Sequence, residues 1–189
     1  MQRERIVNLR DEAQVGREVL VQGWVLTFRN DQFIALNDGS CLGNLQLVID
    51  REVTEDAVKK RITTGAAIAA RGVIEASQGR GQVTELKVTD LEILGDADPE
   101  SFPIQMNRHS MEFLREKAHL RFRTSTFGAV FRVRHALNFA VHKFFTDEGF
   151  FQMHTPIITG SDAEGAGEMF QVTTLMDEAK KSDEALQKA

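Results

Sequence analysis

The chain reads as an α+β protein, a five-stranded β-barrel followed by a helix-led second domain. Three observations predict this. Period-two hydrophobic patterns fill most of residues 17–95, a pattern of helical period fills 126–148, and the acidic, proline-bearing stretch "GDADPESFP" over 95–103 has no periodicity and marks a boundary.

From Arg17 onward Val19, Val21 and Val25 fall on one face and Leu20, Trp24, Leu26 and Phe28 on the other. This predicts a first strand over 17–29, with a bulge or sharp bend at Gly23. "FIALNDGS" supplies a short second strand ending in a turn of Asn37, Asp38, Gly39 and Ser40, and "LQLVID" a third strand. "TEDAVKKRITTG" has the marks of a helix: Thr54 as N-cap, acids in the first turn, bases in the last and Gly65 as its stop. "AAIAARGVIEAS" and "TELKVTDLEILG" are two further strands across the turn "QGRGQ". Five strands with a helix after the third fit a Greek-key barrel of the OB type; SH3-like and other small barrels fit the same order. Trp24 reads as barrel packing.

Beyond the boundary a short helix is predicted near 110–117. A long one follows over roughly 126–148, capped within Thr124–Thr126 and stopped by Gly149. Its stripe of Phe127, Val130, Phe131, Leu137, Val141, Phe144 and Phe145 reads as core. "FQMHTPIIT" then reads as a strand interrupted by Pro156, which puts that proline at an edge or at a contact with another surface. The tail, 176–189, is charged and weakly patterned; disorder is the expectation, and a marginal helix also fits.

With 42% hydrophobic and 27% charged residues, the 189-residue chain has an ordinary globular composition that allows one or two domains. The single cysteine, Cys41, rules out an internal disulfide framework, and without a secretory or membrane-spanning run a cytoplasmic location and no membrane contact are expected. A net charge of −5 argues against holding nucleic acid by bulk electrostatics. A local basic stripe nevertheless runs from Asn107 to Arg134, with Arg108, Arg115, Lys117, Arg121, Arg123, Arg132 and Arg134 against Glu112 and Glu116. A solvated helix face fits the same stripe. With 13 phenylalanines and no tyrosine, stacking on bases falls to Phe or to Trp24. His109, His119, His135, His142 and His154 show no metal-ligand spacing, so no metal site is expected.

"SDAEGAGEMF", 161–170, sets Glu164 and Glu168 among glycines and alanines. As a helix it would oppose like charges at i and i+4 and lose about 1 kcal/mol at each of Gly165 and Gly167. A loop is expected instead, one that lets backbone approach a small ligand and offers a carboxylate to an ammonium group. A solvated polar turn fits these residues too.

Taken in order, "GWV", "FIALNDGS", "LQLVI", "NRHSMEFLRE", "HLRFRT", "GFFQMHTPIIT" and "SDAEGAGEMF" closely resemble the asparaginyl-tRNA synthetases, a class II aminoacyl-tRNA synthetase family, from about residue 17 to 175. Aspartyl enzymes usually read like "PEGARDF" where this chain has "AEGAGEMF", and "LNDGS" also favours the asparaginyl type.

The resemblance implies an N-terminal OB-fold anticodon-binding domain over 1–95, a hinge over 96–120, and over 121–175 the start of a class II antiparallel α/β catalytic domain. "GFFQMHTPIIT" looks like its motif 1, a helix leading into a strand whose proline, Pro156, faces the partner of a homodimer. Phe33 matches the position that stacks on an anticodon base, Gln46 the position that hydrogen-bonds a base edge, and Glu85 one that contacts the first anticodon base. Arg29, at the end of the first strand, is placed to hold a phosphate or base edge. Glu164 matches the glutamate that holds the α-amino group of the amino acid, whereas Glu168 reads as a salt-bridge residue. The implied reaction joins asparagine to tRNA(Asn) through an asparaginyl-adenylate, with ATP and Mg2+. The connection "RNDQ" is shorter than the family's and lacks its common lysine, which puts one backbone contact in doubt. No segment after Leu175 resembles motif 2 or motif 3, so no catalytic residue is expected within this chain, which should be incomplete alone. Two other readings stay open: a non-catalytic tRNA-binding or dimer-forming paralogue, and an aspartyl-type fragment.

Overall fold

A computed structural model describes residues 2–79, 81–158 and 160. The chain divides into two compact units, Met1–Phe139 and Ala140–Ala189. In the first, five strands, β1 (Glu18–Arg29), β2 (Phe33–Asn37), β3 (Leu45–Val48), β4 (Ala67–Ala76) and β5 (Thr84–Gly95), close a barrel in the order β1-β2-β3-β5-β4. All neighbours are antiparallel except β3 and β5, which run parallel. With a short helix, α1 (Asp56–Lys59), between β3 and β4, this is the predicted Greek-key OB barrel.

Alternation builds most of its core. Val19, Val21, Ile34, Leu36, Leu45, Leu47, Ile68, Ile74 and Leu86 are buried, with less buried residues between them, except in β4, where Ile68, Ala69 and Ala70 are buried in succession. The β1–β2 connection is three residues, Asn30, Asp31 and Gln32, between the paired Arg29 and Phe33; Asn30 and Asp31 both take positive φ, 53° and 52°, and the Gln32 N–H donates to the Arg29 carbonyl at 3.1 Å, which turns the chain back within a short hairpin loop. The expected irregularity in β1 exists, but the register shifts between Val25 and Thr27 and not at Gly23. Gly23 answers a different need: a Cβ there would stand 2.4 Å from the Asn37 carbonyl oxygen.

Residues 2–16, for which the sequence pattern predicts no element, pack against the barrel. Two 3₁₀ turns, Ile6–Asn8 and Glu12–Gln14, bring Ile6 and Leu9 into the core with no exposed surface, and the Thr84 hydroxyl donates to the Leu9 carbonyl at 2.7 Å. Asp38 fastens this segment: its carboxylate accepts from the Ile6 N–H at 3.0 Å and lies 3.6 Å from Arg3. Burial alone pushes its carboxyl up, but the Ser40 hydroxyl, the N–H groups of Ile6 and Ser40, and Arg3 together hold it below the usual carboxylate range.

The helix expected over 54–65 shrinks to the four residues of α1, with Glu55 and not Thr54 at its N-cap position. Thr54 closes the preceding turn on Asp50, while Thr63 and Thr64 give their hydroxyls to the carbonyls of Ala97 and Leu26, which draws the chain onto the barrel before a second turn can form.

The short helix near 110–117 is α2 (Met111–Glu116), whose N-cap Ser110 accepts from the Phe113 N–H at 3.2 Å. The long helix is α3 (Ser125–Asp147), with the Thr124 hydroxyl accepting from the Phe127 N–H at 3.4 Å. Gly149, at φ 84°, ends it in a Schellman arrangement: the Phe150 N–H reaches the Phe145 carbonyl, and the two rings meet edge to face at 5.6 Å. The apolar stripe of α3 departs from expectation. Phe127 alone joins a small core with Ile104 and Leu114, while Val130, Phe131, Leu137, Val141, Phe144 and Phe145 are exposed, because no described element packs over them. Residues 151–158 form no strand; among the described residues no strand offers them a ladder.

Candidate nucleic-acid interface

Because Ile34, Leu36, Leu45, Leu47 and Leu86 point inward, the intervening Phe33, Gln46 and Glu85 stand on the outer face of the barrel, each half-buried. Register then sorts that face into two rows. One runs Arg29, Phe33, Val48, Lys87; the other, two residues along each strand, runs Ala35, Gln46, Glu85, Glu75. The rows lie about 7 Å apart, two strand residues. An aromatic ring with Arg29 on one side, and with Lys87 beyond Val48 on the other, thus adjoins an amide paired with a carboxylate. That combination suits unstacked bases, with a π-face to stack on, polar groups to read edges and cations for phosphate.

Gln46 and Glu85 face each other directly across the parallel β3–β5 pair, and the Gln46 Nε2 donates to Glu85 Oε2 at 3.1 Å. The same oxygen accepts from the Ser77 hydroxyl at 2.9 Å and from Gln82 Nε2 at 3.3 Å, and Gln82 also donates to the Ser77 oxygen at 2.8 Å. Ser77 and Gln82 escape sequence reading, which sees only a turn between β4 and β5. What could have flagged them is their placement at the two strand ends that flank Glu85.

The basic stripe of 107–134 does not form one surface. Arg108, Arg123 and Arg132 line a cavity of about 1120 Å³ with Trp24, Phe102 and His135, and among the described residues no carboxylate lines it. Arg123 lies 4.6 Å from the Trp24 ring centroid, and burial pushes its guanidinium down from its ordinary value. Trp24 therefore packs, as expected, but outward beneath Arg123. Arg121 covers Phe127 at 4.8 Å, and Arg115 lies 3.7 Å from Glu112. Pro156 is exposed, and Glu164 and Glu168 lie outside the described residues, as does the tail.

An OB-fold nucleic acid binding domain family matches residues 19–94, and the class II tRNA synthetases (D, K and N) match residues 110–187. Each family thus matches a different part of the chain, the OB-fold family the barrel and the class II synthetase family the region from α2 onward.

The curated relatives it resembles are of the asparaginyl type. An asparagine–tRNA ligase of Parabacteroides distasonis is 55% identical over 177 residues, 92% of this chain and 38% of that protein. One from Bacteroides fragilis is 51% identical over 185 residues, 96% of this chain and 39% of the relative. The fold matches the asparaginyl-tRNA synthetase of Pyrococcus horikoshii, solved with asparaginyl-adenylate, at a TM-score of 0.78 and 22% identity over 92% of this chain and 41% of that one. This chain thus spans under two-fifths of the length of the curated relatives it matches. Among its described residues no helix is long and apolar enough to cross a membrane.

Proposed function

We propose that this chain supplies anticodon recognition and part of the catalytic domain of a cytoplasmic asparaginyl-tRNA synthetase, which attaches asparagine to tRNA(Asn) through an asparaginyl-adenylate. The observation that carries the reading is the outer barrel face, where Phe33 offers a stacking plate beside the Gln46–Glu85 pair. In this reading Phe33 stacks on one anticodon base, Gln46 and Glu85 read base edges, and Arg29 holds a phosphate. The likeness at 55% identity to an asparagine–tRNA ligase supports the substrate.

ATP and Mg2+ belong to the complete enzyme, where they activate the amino acid. Among the described residues no group of three or more His, Cys, Asp or Glu side chains could hold a metal ion, so no step through them is assigned to these residues. Glu164 would hold the amino group of asparagine, and the segment around the exposed Pro156 would meet the same segment of a second copy in a homodimer. Exposure of the α3 stripe supports such a partnered surface.

Binding of an asparagine-anticodon stem-loop by the full chain tests the reading. Phe33→Ala should weaken binding about 5- to 150-fold, the equivalent of 1–3 kcal/mol of stacking. Gln46→Ala should weaken it as well. Equal affinity in wild type and both variants would remove these residues from the reader.

A further inference from the structure

We propose that Ser77 and Gln82, from the β4–β5 turn, are positioning residues that lock the Glu85 carboxylate so that a single oxygen meets the bound base, which restricts that place to bases carrying an imino N–H. The inference rests on the anticodon reading above and names how one of its positions discriminates.

An ionised carboxylate is acceptor-only, with roughly two lone-pair directions on each oxygen. Three donors, Gln46 Nε2, Ser77 Oγ and Gln82 Nε2, all converge on Glu85 Oε2. That oxygen has no capacity left for a ligand. Among the described residues no donor reaches Oε1, so Oε1 is the one oxygen open to a base. The Gln82–Ser77 bond at 2.8 Å ties the two clamp residues to each other, so the turn holds the carboxylate from the side opposite Gln46.

The same contact orients Gln46. Its amino group must face the carboxylate, because its carbonyl oxygen there would set two acceptors against each other; the Gln46 carbonyl is left pointing away. Two acceptors, Glu85 Oε1 and Gln46 Oε1, are thus offered to the ligand. Guanine and uracil present an imino N–H on the Watson–Crick edge, which such an acceptor rewards. Adenine and cytosine present a ring nitrogen lone pair there, which it repels. Without the clamp the carboxylate could rotate, offer either oxygen or admit water between itself and the base, and the penalty against adenine and cytosine would fall.

The test uses the full chain and four anticodon stem-loops that differ only in carrying guanine, uracil, adenine or cytosine at the first anticodon position. Wild type should bind the guanine and uracil loops about tenfold or more tighter than the other two, the scale of one good base-edge contact. In the double variant Ser77→Ala with Gln82→Ala that ratio should fall about fivefold or more, from the loss of two modest hydrogen bonds. Ser77→Thr, which keeps the hydroxyl, should hold the ratio within about twofold of wild type, a shift under 0.5 kcal/mol. A general loosening of the barrel would weaken all four loops alike and leave the ratio intact. A ratio unmoved in the double variant but lost in Glu85→Gln overturns the clamp, as does a wild type that binds all four loops equally. Phe33→Ala separates the two levels of failure: uniform weakening of all four loops sustains the anticodon reading even if the clamp falls, whereas a wild type that binds none of them overturns both.

Discussion

Phe33 keeps part of its ring in water while Ile34, one residue along the same strand, is fully buried. An exposed ring beside a closed core is what a stacking role asks for, and alternation made its outward position legible in the sequence. Asp38 was legible only in part. Its place in an "NDGS" turn was plain, and the turn forms, with the Ser40 N–H donating to Asp38 Oδ1 at 2.9 Å. Its second task, pinning Ile6 across 32 residues, has no local signature. The carboxyl is held below its ordinary value in the folded chain, so its stabilisation is fully present above the unfolded pKa, about 4, and is lost as pH falls through the folded value. Asp38→Ala strands buried N–H donors and should cost about 2 kcal/mol or more near neutral pH. In thermal melts the gap between wild type and variant should begin to narrow below about pH 4, where the unfolded carboxyl takes up a proton, and shrink further as pH falls through the lower native value.

At the scale of elements, what could be read from sequence followed from periodicity, and what could not followed from side chains reaching across the fold. The five strands, α2 and α3 all declare themselves by spacing and caps. The helix at α1 does not survive because Thr63 and Thr64 find better acceptors on the barrel than a second helical turn would give them. The strand expected at 151–158 needs a ladder that composition cannot supply. Ser77 and Gln82 were invisible for the same reason: their partner Glu85 is recognised only once the turn has folded. The β1–β2 turn offers a direct test of the element. Asp31 sits at φ 52°, a region that glycine enters without strain, so Asp31→Gly should stabilise the barrel by up to about 1 kcal/mol, raising the denaturation midpoint in urea. A loss of stability would mean that the Asp31 side chain makes contacts outweighing the relief.

For the whole molecule, charge and register set the terms. The chain carries a net −5, and the outer face of the barrel brings few cations to a ligand, chiefly Arg29 and Lys87. Affinity for a stem-loop should therefore depend weakly on salt, with log K falling against log salt by a slope near −1.4 for about two phosphate contacts on a single strand. A slope several times steeper would mean that the arginine-lined cavity beneath Trp24 also grips the backbone. The parallel pairing that sets Gln46 opposite Glu85 reaches further. Sliding β5 one place along β3 would turn the carboxylate into the core and push Leu86 into solvent. On the proposed reading, no partly folded barrel can thus present a subtly altered code to a tRNA: fidelity at this position would come with the correct threading of the chain, or not at all.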